Sequence, residues 1–197
     1  MSQIVEAMSD ADLLGIMVGT KAASRMLQDA GGSLSTLLNE SIPSYDLQPK
    51  IRTKLQVAKE LVRRSLLETM RHRDVLSSPA SVRDYLRMTL TGRDYEVFMV
   101  LFLDAQNRVI ESEEMFRGTL TQTSVYPREV VKRSLVVNAA AVIFAHNHPS
   151  GVGEASRADE LLTQSLKQAL ALVDVKVLDH FLIAGSGVMS FAERGLL

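Results

Sequence analysis

The sequence predicts an α/β domain, a mixed sheet flanked by helices, preceded by a small all-α N-terminal domain. Three observations carry that reading. Residues 1–75 space their apolar side chains as helices do, whereas beyond them short apolar runs alternate with helical stretches. Aromatic residues follow the same division, with one, Tyr45, in the first 84 positions and nine in the remaining 113. Between the two parts, Leu76-Ser77-Ser78-Pro79-Ala80 is a Ser/Pro linker, giving expected domains of 1–75 and 76–197.

Each element has a local reason. Ser9 and Asp12 suit the start of a short helix, and residues 21–27 form a second that Gly31 and Gly32 end. Residues 50–71 form a third, with Ile51, Leu55, Ala58, Leu61, Val62 and Leu66 at helical spacing. Before it, 39–46 is rich in turn formers. Ser81 caps a helix that runs to Leu90. The unbroken apolar run Val97–Leu103 has the length of a buried strand, Asp104 to Asn107 make a turn, and a return strand begins near Val109. A strand at 118–124 precedes Pro127, which fits the first turn of a helix bearing Val130, Val131, Leu135 and Val136. A strand at 139–145, a helix at 157–173 and strands at 175–184 and 188–191 complete the chain.

The 197 residues carry 22 basic and 23 acidic side chains, a formal net charge of −1. That balance excludes a globally basic nucleic-acid binder, though not a local basic patch. The absence of cysteine excludes disulfides, thiolate nucleophiles, zinc fingers and iron–sulfur ligation. A transition-metal site must therefore use histidine, carboxylate and water, and only four histidines need be searched. No stretch approaches the roughly 18 apolar residues of a membrane span, and acids stand where a secretory leader is basic. A cytoplasmic protein is expected.

The chemistry concentrates in His146-Asn147-His148-Pro149-Ser150-Gly151, followed by Ser156 and Asp159. Side chains at i and i+2 leave an extended chain on one face, so His146 and His148 converge while Asn147 points away. Pro-Ser-Gly then turns the chain, and Asp159 falls in the first turn of the next helix. Two neutral imidazoles and a carboxylate with an open fourth position are a catalytic zinc arrangement; calcium would take more oxygens. The expected cofactor is one Zn2+ per chain. His72, between Arg71 and Arg73, reads as a solvated helix end. His180 beside Asp179 reads as a structural strand residue, with a group that supports the ligands or meets substrate as the alternative.

The pattern His146-x-His148-Pro149, then Ser156-x-x-Asp159, resembles the JAMM signature of MPN+ metallopeptidases. With Tyr126-Pro127-Arg128-Glu129-Val130, Leu178-Asp179-His180 and Ser190-Phe191-Ala192-Glu193-Arg194-Gly195, the region 76–197 is similar to the RadC branch of that superfamily. The resemblance implies an MPN fold like that of JAMM deubiquitinases, and hydrolysis of a peptide or isopeptide bond in a protein or peptide substrate. It also implies an upstream glutamate that takes a proton from the attacking water. Glu96 stands in the corresponding place, just before Val97–Leu103, whereas Glu129 lies in a helix first turn where the dipole suits an acid. Ser156 has two readings, a helix cap and, by the resemblance, a donor to the oxyanion. By the same resemblance, Asn147 departs from the serine or threonine that members outside the RadC branch usually carry there, a change that bears on access or on bonding behind the ligands and not on ligation.

The N-terminal part supplies the rival reading. Between Lys50 and Arg73 there are eight basic and two acidic residues. RadC relatives resemble helix-hairpin-helix DNA-binding proteins here, but residues 41–46 contain no glycine, Pro43 lacks a donor, and Asp46 repels phosphate. The domain is a degenerate one in that comparison. A DNA-repair or recombination accessory, binding DNA or a repair partner around a structural metal site, is the alternative function.

Overall fold

The computed structural model describes residues 5–39, 48–118 and 124–197. Residues 40–46 of the expected turn region and most of the expected strand at 118–124 lie outside the described residues. Two compact units divide the chain, 1–62 and 63–197.

In the first unit, α1 (Asp10–Val18) starts at Ser9, whose hydroxyl accepts from Asp12 N at 3.2 Å. It is followed by α2 (Thr20–Asp29) and α3 (Leu34–Asn39), and by the first half of α4 (Pro49–His72). Leu14, Ala23, Met26, Leu37 and Leu55 form its core. Gly31 and Gly32 end α2 with φ of +61° and +80°, a conformation that suits glycine. Among the described residues, no helix is long and apolar enough to cross a membrane.

The second unit contains the rest of α4, α5 (Pro79–Leu90) and a five-stranded sheet. The strands are β1 (Val97–Leu103), β2 (Val109–Arg117), β3 (Ala141–Asn147), β4 (Lys176–Ala184) and β5 (Gly187–Ser190). They lie in the order β2-β1-β3-β4-β5, antiparallel except for the β3–β4 pair. Helices α6 (Pro127–Val136) and α7 (Arg157–Ala171) complete it. Helix α5 begins two residues before the expected cap: Pro79, with its preset φ, takes the first position and Ser78 the cap position. Strand β3 ends two residues later than expected, and this brings His146 and Asn147 into the sheet.

Strands β1 and β3 are buried throughout because both faces of the sheet are covered, which is why they read as unbroken apolar runs. Met99, Leu101, Ile143 and Ala145 face α5 and Met70, while Phe98, Val100, Val142 and Phe144 face α6 and α7. His146 continues the second series, so alternation points it at α7. Asn147 continues the first.

Candidate metal centre

His146 is the last apolar-facing position of β3 before the chain leaves the sheet, and it is buried. His148 follows one residue past the strand, held by its own N–H donating to Ile183 O at 2.9 Å. The turn Pro149 to Gly151 needs φ of +78° at Gly151. It brings Val152 O to 2.9 Å from His148 Nδ1. A carbonyl only accepts, so His148 carries its proton on Nδ1 and its Nε2 is the atom presented to the site. His148 Nε2 lies 3.2 Å from His146 Nε2.

The third group comes from α7. Ser156 caps that helix in a reciprocal box: its hydroxyl accepts from Asp159 N at 3.2 Å while Asp159 Oδ2 accepts from Ser156 N at 2.7 Å. The Ser156 hydroxyl proton also goes to Asp159 Oδ2, at 2.7 Å. This fixes the carboxylate with Oδ1 3.5 Å from His146 Nε2 and Oδ2 3.5 Å from His148 Nε2. Among the described residues, His146, His148 and Asp159 form the one group of three potential metal ligands, their donor atoms within 4.8 Å of one another.

Electrostatics follow from this packing. Burial would raise the Asp159 carboxyl, but the facing His146 and His148 imidazoles and the Ser156 hydroxyl outweigh it and hold the group well below the usual carboxylate range. His148 is raised, chiefly because its protonated ring could also donate to Asp159, with Glu96 adding to the effect. Complete burial pushes His180 well below its ordinary value, so it is neutral. Converging imidazole nitrogens and a carboxylate carry too much lone-pair density to sit together without a cation or proton between them. That donor chemistry fits a divalent ion such as zinc.

These three residues open onto a cavity of about 830 Å3 that Glu96, Ser156 and Tyr126 also line. Glu96 is half-buried there, and its carbonyl accepts from Gly118 N at 2.8 Å. Glu129 instead pairs with Arg128 and Lys132 on α6. Asn147 points to the other face, as alternation requires, but it is tied to Glu96's neighbours. Its Oδ1 accepts from Val97 N at 2.8 Å and its Nδ2 donates to Tyr95 O at 3.0 Å. His72 ends α4 exposed, and Arg63 donates to Tyr85 Oη at 3.1 Å.

Sequence reasoning favoured a structural His180 over a group beside the ligands, and its Nε2 lies 2.8 Å from His146 Nδ1 and its Nδ1 2.7 Å from Thr163 Oγ1. Thr163 in turn donates to Asp159 O at 2.6 Å. The available signal for Thr163 was its position four residues after Asp159, one helical turn along the same face.

Comparison with known proteins gives a consistent picture. The RadC-like JAB domain family matches residues 76–196. A UPF0758 protein of Nitrosomonas europaea is 54% identical, the match covering 97% of this chain and 90% of the relative. UPF0758 proteins of Leptothrix cholodnii (54%, covering 97% and 91%) and Chromobacterium violaceum (50%, covering 100% and 93%) are also similar.

Proposed function

Since the chain belongs to the family of RadC-like JAB domains, we propose that it is a zinc-dependent peptidase or isopeptidase of the JAMM type. The observation that carries this reading is the convergence of His146, His148 and Asp159 at a cavity that also holds Glu96. His146 Nε2, His148 Nε2 and the Asp159 carboxylate would hold the ion. When bound there, zinc supplies Lewis-acid polarisation and a nucleophile at neutral pH.

The remaining work falls to the chain. The Glu96 carboxylate accepts a proton from the attacking water and returns it to the leaving amine nitrogen. The Ser156 hydroxyl turns its proton from Asp159 toward the oxyanion that develops on the scissile carbonyl. Phe98, Val125 and Leu162 give the cavity an apolar wall that keeps bulk water from the amide. Among the described lining residues there is no lysine or arginine, which favours an uncharged amide over a phosphodiester, whose charge calls for cations.

The test has two parts. Metal analysis of purified protein should find one zinc per chain in wild type and in Glu96→Gln, and none in His146→Ala. Cleavage profiling of a proteome-derived peptide library, read by mass spectrometry, should give products with wild type and none with Glu96→Gln. A wild type that takes up no zinc, or a Glu96→Gln variant that cleaves as fast as wild type, overturns the reading.

A further inference from the structure

Three of the four histidines are accounted for: two face the cavity and His72 is a solvated helix end. His180 is completely buried in an aromatic box. The Phe191 ring stacks on it at 4.5 Å, and Phe98 and Phe144 approach edge-on at 5.6 and 5.7 Å. An imidazole there is tolerable only if both nitrogens are bonded, and both are.

The direction of those bonds follows from one end of the chain. The Asp159 main-chain carbonyl has no proton to give, so Thr163 commits its single hydroxyl hydrogen to it, at 2.6 Å. Thr163 Oγ1 can then only accept from His180, which places the His180 proton on Nδ1. Neutral in its aromatic box, His180 offers a bare Nε2, and His146 must donate to it from Nδ1, at 2.8 Å. His146 Nε2 is left bare, and this is the atom that faces His148 and Asp159.

We propose that Thr163 and His180 are positioning residues, forming a one-way hydrogen-bond relay from the Asp159 main chain that locks His146 in the tautomer whose Nε2 faces the cavity. Metal-binding histidines commonly donate their second N–H to a carboxylate, carbonyl or water. Here the acceptor is another imidazole, and its own tautomer is set by a carbonyl two bonds away. The relay begins and ends in the candidate ligand set, so the helix that supplies Asp159 also orients His146. Its use in metal binding rests on the function proposed above; the tautomer does not.

Nitrogen-15 NMR of the imidazoles in metal-free wild type reads the tautomers directly. Both His146 and His180 should be protonated on Nδ1 and pyridine-like at Nε2; an Nε2–H tautomer at either overturns the relay. The second arm titrates Zn2+ against a chromophoric chelator in Thr163→Val and Thr163→Ser. Valine keeps the shape but removes the hydroxyl, and should weaken zinc affinity about 10-fold or more, the range typical of lost outer partners. Serine keeps the hydroxyl and should stay within about 3-fold of wild type, since the orienting bond survives. A merely structural role gives the opposite order, because serine leaves a methyl-sized gap. Equal affinity in Thr163→Val and wild type refutes the proposal. A wild type that binds no zinc defeats the metal reading alone, and the tautomers still decide the relay.

Discussion

Replacing Asn147 by alanine should destabilise the 63–197 unit and disturb Glu96 while leaving the candidate metal ligands intact. The β1–β3 ladder begins at the Phe98–His146 pair. Beyond it the Asn147 side chain takes over, accepting from Val97 N at 2.8 Å and donating to Tyr95 O at 3.0 Å. Val97 and Asn147 are 1% and 3% exposed, so water has little access to the bond between them. A net hydrogen bond is worth about 1 kcal/mol and an orphaned buried group costs about 1–3 kcal/mol, giving roughly 2–4 kcal/mol for the pair. In a domain of this size each kcal/mol moves Tm by roughly 3–5 °C, so Asn147→Ala should melt roughly 6–20 °C below wild type. Asn147→Ser, too short to reach both partners, should fall between. Scanning calorimetry measures the shift, and zinc titration of the same samples supplies the control. Asn147 lies on the face away from His146, so affinity should change by less than about 3-fold, unlike the loss expected from a ligand or its partner. A melting temperature within about 2 °C of wild type, well under the shift for one lost bond, would show that the clamp contributes nothing.

Zinc at about 100 times its Kd should stabilise wild type by about 2.7 kcal/mol, and a chelator should reverse the gain. Asp159→Asn should show no such shift in a thermal melt. In metal-free protein the His148–Asp159 pair gives stability a pH window. The folded-state pKa of His148 is raised, so its contribution is fully present below about 6.5 and is lost as pH rises through the folded value. Asp159 is depressed, so its contribution is present above about 3.9 and is lost as pH falls toward its folded value. Urea titrations across pH should therefore show a fall on the alkaline side that His148→Gln removes. Leu166→Ala, at a fully buried position of α7, should cost about 2–5 kcal/mol by the same method.

The sheet was legible because both its faces are covered: unbroken runs such as Val97–Leu103 have strand length and no helical alternative of sufficient length. Its element ends were less so. Pro79 rather than Ser81 starts α5 because a proline's fixed φ favours the first turn even when a serine lies close by. The candidate ligands were legible for a local reason. His146 and His148 are two apart on one extended segment, and Asp159 sits in a cap pattern that marks a helix start without any tertiary knowledge. The placement of Glu96 in the same cavity depends on strand pairing, and only the resemblance to a known family pointed to it.

The place of His180 beside His146 was not legible, for a reason that the sheet register makes plain. Val177 packs on the α6–α7 side with Val142, and strict alternation would put His180, three residues on, on the opposite face. A register shift intervenes: Val142 pairs with Val177 but Ile143 pairs with Asp179, skipping Leu178. That one-residue slip exchanges the faces for everything after it, so His180 pairs beside Phe144 and faces α7, while Phe181 and Ile183 turn to α5. Asp179 stands at the shift and satisfies the backbone there. Its Oδ1 accepts from His180 N at 2.7 Å and from Ala192 N at 3.0 Å, and its Oδ2 accepts from the Ser190 hydroxyl at 2.6 Å. The Asp179–His180 pair is thus two residues with separate tasks: the aspartate holds the irregularity, and the irregularity delivers the histidine to His146. An alternation argument taken from either end of β4 would miss it, because the information lies in the slip itself.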